Sequence, residues 1–143
     1  MALKMDTDDL TAFMADHFPQ VADDFSIESV SPSEITVRMH AGDKNLRPGG
    51  TVSGPSMFSL ADVSIYLAIL AMIGPEALAV TTNCSIDFMR KPEAGADLIA
   101  HARILKLGRA LAVGDVLIYS DGGGSPVARA ALTYSIPPKP AVR

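Results

Sequence analysis

The chain lacks several features that mark whole classes of protein. It has one cysteine, Cys84, among 143 residues, which excludes an internal disulfide and any metal cluster built on cysteines. Its formal net charge is −4 and its longest basic run is the pair Arg90-Lys91, which argues against nucleic acid or an anionic membrane as a partner. The first residues, MALKMDTDDLTAF, lack the apolar segment of a signal peptide. We therefore expect a reduced, cytoplasmic protein.

Charge is especially scarce in the middle of the chain. Between Pro48 and Pro75 the only charged residue is Asp62. The uncharged run that follows it, residues 63–75, is shorter than the roughly 18 residues of a membrane span, so no membrane partner is expected. An ionised carboxylate in apolar surroundings costs several kcal/mol unless it is compensated. Asp62 is therefore neutralised, paired or retained for chemistry, which makes it the main functional candidate.

What is present predicts one domain, residues 1–143. Its apolar content of 48% is sufficient for a sizeable core. An amphipathic pattern over Asp6–Phe18 predicts a helix within residues 1–19, capped by Asp6 or Thr7 and ended by Pro19. The last residues, 137–143, are expected to form a flexible tail.

A second, longer helix is predicted from Gly54-Pro55 to Gly74-Pro75. Proline is favoured in the first turn of a helix and glycine just after its last turn. The segment is apolar almost all round, which is typical of a helix enclosed by other structure.

Strand-like runs flank this helix. One precedes it and four follow it: Ile35–His40, Ala79–Met89, Leu98–Leu107, Ala110–Tyr119 and Val127–Ile136. No connection is long enough for a crossover helix, so the pairing should be antiparallel. The sequence predicts an α+β fold in which a five- to six-stranded antiparallel sheet wraps the long helix. The open edge of such a sheet would be closed by a second copy, which predicts a homodimer.

Strict alternation divides the run Ala79–Met89 into two faces. One face would carry Val80, Thr82, Cys84, Ile86 and Phe88, and the other would carry Thr81, Asn83, Ser85 and Asp87.

The order of strand, glycine-rich loop, buried helix and strand meander resembles the hotdog fold. Within it, SGPSMFSLAD and the later AVTTNCSIDFMRKPEAGADLIAHARILKLGRALAVGDVLIY resemble the PaaI-like acyl-CoA thioesterases, over roughly residues 37–136. The family's His-Gly-Gly falls on Ser53-Gly54-Pro55 and its catalytic acid falls on Asp62. The resemblance implies hydrolysis of an acyl-CoA to free acid and CoA, with Asp62 as general base or nucleophile. It implies no cofactor beyond the coenzyme A of the substrate, and a homodimer or a dimer of dimers.

Physical chemistry supports part of these roles. The N–H of Gly54 would lie at a helix N-terminus, where free N–H groups and the helix dipole stabilise a developing oxyanion. Asp62 lies eight residues later, about 12 Å along the helix axis. Ser59, Asp62 and Tyr66 share one helical face, which would give the acid polar neighbours. By resemblance, Thr81 matches a hydroxyl that the partner subunit supplies to hold the water. Thr82 is an almost equal candidate, and both are also ordinary strand residues.

The remaining candidates would bind the substrate. The family's upstream asparagine falls on Arg47 by direct spacing, with Asn45 close by. Ser53 replaces the family histidine and is equally suited to cap the helix. Four cations are possible partners of the coenzyme A phosphates, or solvated charges at strand ends: Arg90, Lys91, Lys106 and Arg109.

Two alternatives remain open from the sequence. The missing histidine, together with Pro55, which has no N–H, is compatible with a hotdog module that binds acyl-CoA without hydrolysing it. A hotdog dehydratase or hydratase would need a histidine in its site.

The three histidines, His17, His40 and His101, show no metal-ligand spacing, so no metal site is predicted.

Overall fold

A single antiparallel sheet of six strands wraps one long helix in the computed structural model, which describes residues 2–138. The helices are α1 (Thr7–His17) and α2 (Gly54–Ile73), and the strands are β1 (Phe25–Ser31), β2 (Glu34–Met39), β3 (Val80–Phe88), β4 (Leu98–Leu107), β5 (Leu111–Ser120) and β6 (Pro126–Ser135). This confirms the predicted α+β hotdog fold. Of the predicted flexible tail, residues 139–143 lie outside the described residues.

The long helix α2 begins and ends where its capping residues indicate. The side chain of Ser53 accepts a hydrogen bond from the backbone N–H of Ser56, and Pro55 lies in the first turn. Gly74 follows the last turn with a φ of 93°, a conformation that glycine adopts without steric cost. By length and mean hydropathy, 1.9, α2 also meets the criteria for a membrane span, which the short uncharged run did not suggest. However, 67% of that stretch is buried, and packing against the sheet accounts for its apolar character.

The sheet has the order β1-β2-β4-β5-β6-β3, so β1 and β3 are its edges. Strand β1 was not among the predicted runs. Its sequence, FSIESVS, has partly buried and exposed residues without clear alternation, and a register irregularity between Ile27 and Ser29 interrupts its pairing with β2. A half-exposed edge strand of this kind leaves little periodic signal in the sequence.

A β-bulge near the start of β3 changes which side chains face the helix. Thr81 pairs with Tyr134 and Asn83 pairs with Thr133, so Thr82 is the extra residue. The predicted alternation, which placed Thr82 on the face of Cys84, is therefore wrong at this point. Thr81 points inward instead, because the additional residue reverses the alternation and redirects the side chain before it.

Candidate active site

Asp62 lies in the third turn of α2, and two hydroxyl groups from the sheet hydrogen-bond its side chain. The hydroxyl of Tyr134 donates to Oδ1 at 2.7 Å, and the hydroxyl of Thr81 donates to the same oxygen. No group in the described part of the chain donates to Oδ2. Since no buried polar side-chain atom among those residues lacks a partner, Oδ2 is accessible to solvent. The carboxylate thus has one fixed oxygen and one available oxygen.

The two donors come from opposite positions of one strand pair. Thr81 on β3 faces Tyr134 on β6, and the bulge at Thr82 directs the threonine hydroxyl towards α2. The sequence reasoning missed Tyr134. Its signal was a tyrosine on the inner face of a strand, because a buried tyrosine hydroxyl usually needs a hydrogen-bond partner.

Burial sets the protonation of the groups around this carboxylate. Tyr134 is only 3% exposed, and burial together with the charge of Asp62 raises the pKa of its phenol well above the ordinary value. Its hydroxyl therefore remains a donor. Burial, with a smaller contribution from Asp62, also raises the pKa of Cys84, which makes a nucleophilic thiolate unfavourable there.

Ser59 and Tyr66, the predicted polar neighbours of Asp62 on α2, do not hydrogen-bond to its carboxylate. The hydroxyl of Tyr66 donates to the carbonyl of Ala77 at 3.2 Å, and burial raises the pKa of Tyr66 to about 12. Ser59 is exposed. Spacing on the helix correctly placed these residues on one side of α2, but the partners of the carboxylate come from the sheet.

The start of α2 carries an available donor. The N–H of Gly54 has no hydrogen-bond partner among residues 2–138. Ser53 acts as the N-cap, one of the two roles considered for it. Asn45 is 9% exposed; its Nδ2 donates to the Ser56 hydroxyl at 3.2 Å, and its Oδ1 accepts from the N–H of Gly42 at 3.0 Å. Asn45 thus connects the preceding loop to the helix start.

A cleft of about 340 Å³ adjoins this helix start. Three cations line it, Arg47, Arg90 and Lys91, together with Gly54 and Phe88. The Phe88 ring covers Gly54 so closely that a Cβ there would lie 3.1 Å from it. Arg109 is separated from these cations, since it lines another cleft at the C-terminal end of α2.

Residues 49–127, which include the helix start and Asp62, match the family model of the thioesterase superfamily. The chain belongs to the thioesterase superfamily. A candidate thioesterase from Silicibacter sp. is 59% identical in sequence, with 96% of each chain covered and a TM-score of 0.91. A mutant of the phenylacetic acid degradation protein PaaI from Thermus thermophilus is 28% identical and has a TM-score of 0.72, covering 83% of this chain and 99% of that one.

A third solved structure, of a Streptococcus mutans protein bound to acetyl-CoA, is 27% identical, covers 80% of this chain and 90% of its own, and has a TM-score of 0.71. The predicted relationship to PaaI-like hotdog thioesterases is confirmed. This thioesterase is accordingly a thioester hydrolase.

Two features of the thioesterase bear on which subunit supplies each group of the site. Thr81 contacts Asp62 of its own chain, whereas the resemblance assigned it to the partner subunit. The carboxylate also faces the start of β3, while Gly54 lies beneath Phe88, the last residue of that strand. Because Asp62 follows Gly54 by eight positions in α2, the two residues of one chain are about 12 Å apart along the axis.

The three histidines lie away from the carboxylate. The His17 ring stacks on Phe13, and the ring nitrogens of His40 and His101 bond to the hydroxyls of Ser26 and Thr36. None of them hydrogen-bonds to Asp62, so the histidine-dependent dehydratase hypothesis gains no support from the geometry.

Proposed function

We propose that this thioesterase hydrolyses an acyl-CoA, releasing a free acid and CoA, and that Oδ2 of Asp62 performs the first step. As general base it would take a proton from the attacking water, whose oxygen adds to the thioester carbonyl before the C–S bond breaks and CoA leaves. As nucleophile it would add to the same carbonyl and expel the CoA thiolate, and water would then hydrolyse the resulting acyl–aspartyl anhydride to the free acid. The observation that carries the proposal is the difference between the two carboxylate oxygens of Asp62: two hydroxyls fix Oδ1, and Oδ2 is available. The acetyl-CoA bound to the Streptococcus mutans protein supports a CoA ester as substrate.

The N–H of Gly54 is proposed as the oxyanion donor. It is the first residue of α2, where the helix dipole favours negative charge. Only one N–H is available at this point because Pro55 has none. The thioester carbonyl oxygen would bind here and become an oxyanion as the nucleophile adds.

The distance between Gly54 and Asp62 favours a site shared by two subunits. Strand β3 is an unpaired edge with exposed apolar side chains at both ends, Val80 at 57% and Phe88 at 52%. If two copies pair antiparallel about a two-fold axis near Cys84, the middle of the strand, Thr81 lies opposite residue 87 of the partner. The start of the partner's helix α2, which lies beneath the partner's Phe88, then approaches Asp62 of the first subunit. A homodimer would contain two such sites.

The cations beside the helix start are proposed to bind the phosphates of coenzyme A. Arg47, Arg90 and Lys91 border the cleft next to Gly54, so a thioester on Gly54 places its CoA portion within their reach. Guanidinium groups suit this task because they bind phosphate oxygens in pairs. A role for Arg109, assembly into a dimer of dimers and a cytoplasmic location stay predictions.

The decisive experiment is the Asp62→Asn variant, assayed on short, long and aryl acyl-CoA esters. Loss of the base or nucleophile should lower kcat by at least two orders of magnitude, with little change in KM. Asp115→Asn is the matched control, because Asp115 pairs with Arg103 on the outer face of the sheet at 2.9 Å. Undiminished turnover by Asp62→Asn would refute the proposed role. Binding of CoA esters without hydrolysis by the unmodified protein would favour the binding module instead.

A further inference from the structure

We propose that Tyr134 is a positioning residue that, together with Thr81, holds Oδ1 of Asp62 so that Oδ2 alone is presented to the substrate. The inference rests on the proposed role of Asp62. It assigns a function to a residue on β6 outside the segment 49–127 that matches the family model.

The geometry of Tyr134 suits it to fix the carboxylate orientation. Its hydroxyl oxygen lies 2.7 Å from Oδ1 of Asp62 and 3.0 Å from the backbone carbonyl oxygen of the same residue. One hydroxyl therefore spans the main chain and the side chain of Asp62, which restricts rotation between them. The opposite donor, Thr81, approaches the same oxygen from β3.

Tyr134 is itself held in place. Its side chain is 3% exposed, and its ring lies 6.1 Å from the ring of Tyr66. Strand β6 pairs with both β5 and β3, so its backbone is fixed on both sides. A donor mounted on a rigid strand positions a catalytic group more accurately than a donor on a loop.

The test is Tyr134→Phe, which keeps the ring and deletes the donor. Loss of a hydrogen bond to a charged group predicts a kcat lower by about ten- to hundredfold, with KM nearly unchanged. Tyr119→Phe is the matched control, because the ring of Tyr119 packs edge-on against His101 on the outer face of the sheet. Thermal unfolding of both variants confirms that they fold.

A double variant separates positioning from a merely structural role. If Tyr134 acts through Asp62, adding Tyr134→Phe to Asp62→Asn should leave the residual kcat within about twofold, because the group being positioned is already lost. An equal loss in both backgrounds, or a Tyr134→Phe enzyme with unchanged kcat, would overturn the inference while leaving the role of Asp62 intact. An active Asp62→Asn enzyme would instead overturn the proposed function.

If Tyr134→Phe fails to fold, Thr81→Val removes the second donor to Oδ1 at nearly constant side-chain volume. A lower kcat with little change in KM is again expected, and an unchanged kcat would contradict the two-donor arrangement.

Discussion

Replacement of Gly54 by proline should remove the backbone N–H that is proposed to donate to the oxyanion, with little change in the fold. The N–H of Gly54 has no partner among residues 2–138, so no internal hydrogen bond is lost. Proline is favoured in the first turn of a helix. Ser53 has φ −76° and ψ 158°, the extended conformation that a residue before proline prefers. The backbone before residue 54 is therefore compatible with the substitution.

The expected magnitude follows from the role of that N–H. Removing one oxyanion donor typically lowers kcat by about 10²–10³, or roughly 2.7–4 kcal/mol. Gly54→Ala is the control because it keeps the N–H while adding a Cβ that would lie 3.1 Å from the Phe88 ring. That ring is 52% exposed and is free to shift, so the alanine variant should lose less than about tenfold, equivalent to roughly 1.4 kcal/mol.

The assay compares the two variants rather than either one with the unmodified enzyme. Released CoA thiol is followed with a chromogenic disulfide under saturating acyl-CoA, and thermal unfolding verifies both folds. A proline variant at least tenfold slower than the alanine variant supports the oxyanion role. Equal rates for the two would refute it, because they differ in the N–H while sharing the crowding against Phe88.

Two further predictions concern the dimer and the core. Mixing and re-equilibrating the inactive Asp62→Asn and Gly54→Pro proteins should restore about a quarter of the unmodified activity, since half the dimers are mixed and each has one intact shared site; no recovery despite confirmed subunit exchange would place both groups in one chain. Gly114→Ala should destabilise the fold by on the order of 2–3 kcal/mol, because the added Cβ would lie 2.5 Å from Cδ1 of Ile65. Gly124→Ala, with open space at that position, is its control in thermal unfolding, and equal melting temperatures would contradict the packing argument.

The sequence predicted the elements whose signals are local. Capping residues marked α2 to within a residue of its observed bounds, Gly54–Ile73, and apolar runs between short turns marked the four strands after it, with β4 found at Leu98–Leu107 as predicted. Such signals depend on backbone conformations that particular residues favour wherever they occur. Strand β1 was missed because an irregular, half-exposed edge lacks the alternation that a buried face imposes.

The contacts of Asp62 were less accessible because they depend on register. A scarcity of charge identified Asp62 itself, but a single extra residue, Thr82, decides whether Thr81 or its neighbour faces the helix. A bulge is a property of two paired strands, and β3 alone contains no mark of it. Tyr134 was hidden for the same reason, since its relation to Asp62 becomes apparent only when β6 is aligned with β3.

The separation of Gly54 and Asp62 along α2 nevertheless indicates which subunit supplies each of these two groups. An α-helix is rigid, so eight residues hold Gly54 and Asp62 about 12 Å apart in any fold that preserves α2. An oxyanion donor and a nucleophile acting on one carbonyl must both lie within about 3 Å of the reacting atoms. The two groups of one chain do not meet this condition for direct nucleophilic attack. Because Thr81 contacts Asp62 of its own chain, we propose that the group supplied by a partner subunit is the helix start at Gly54.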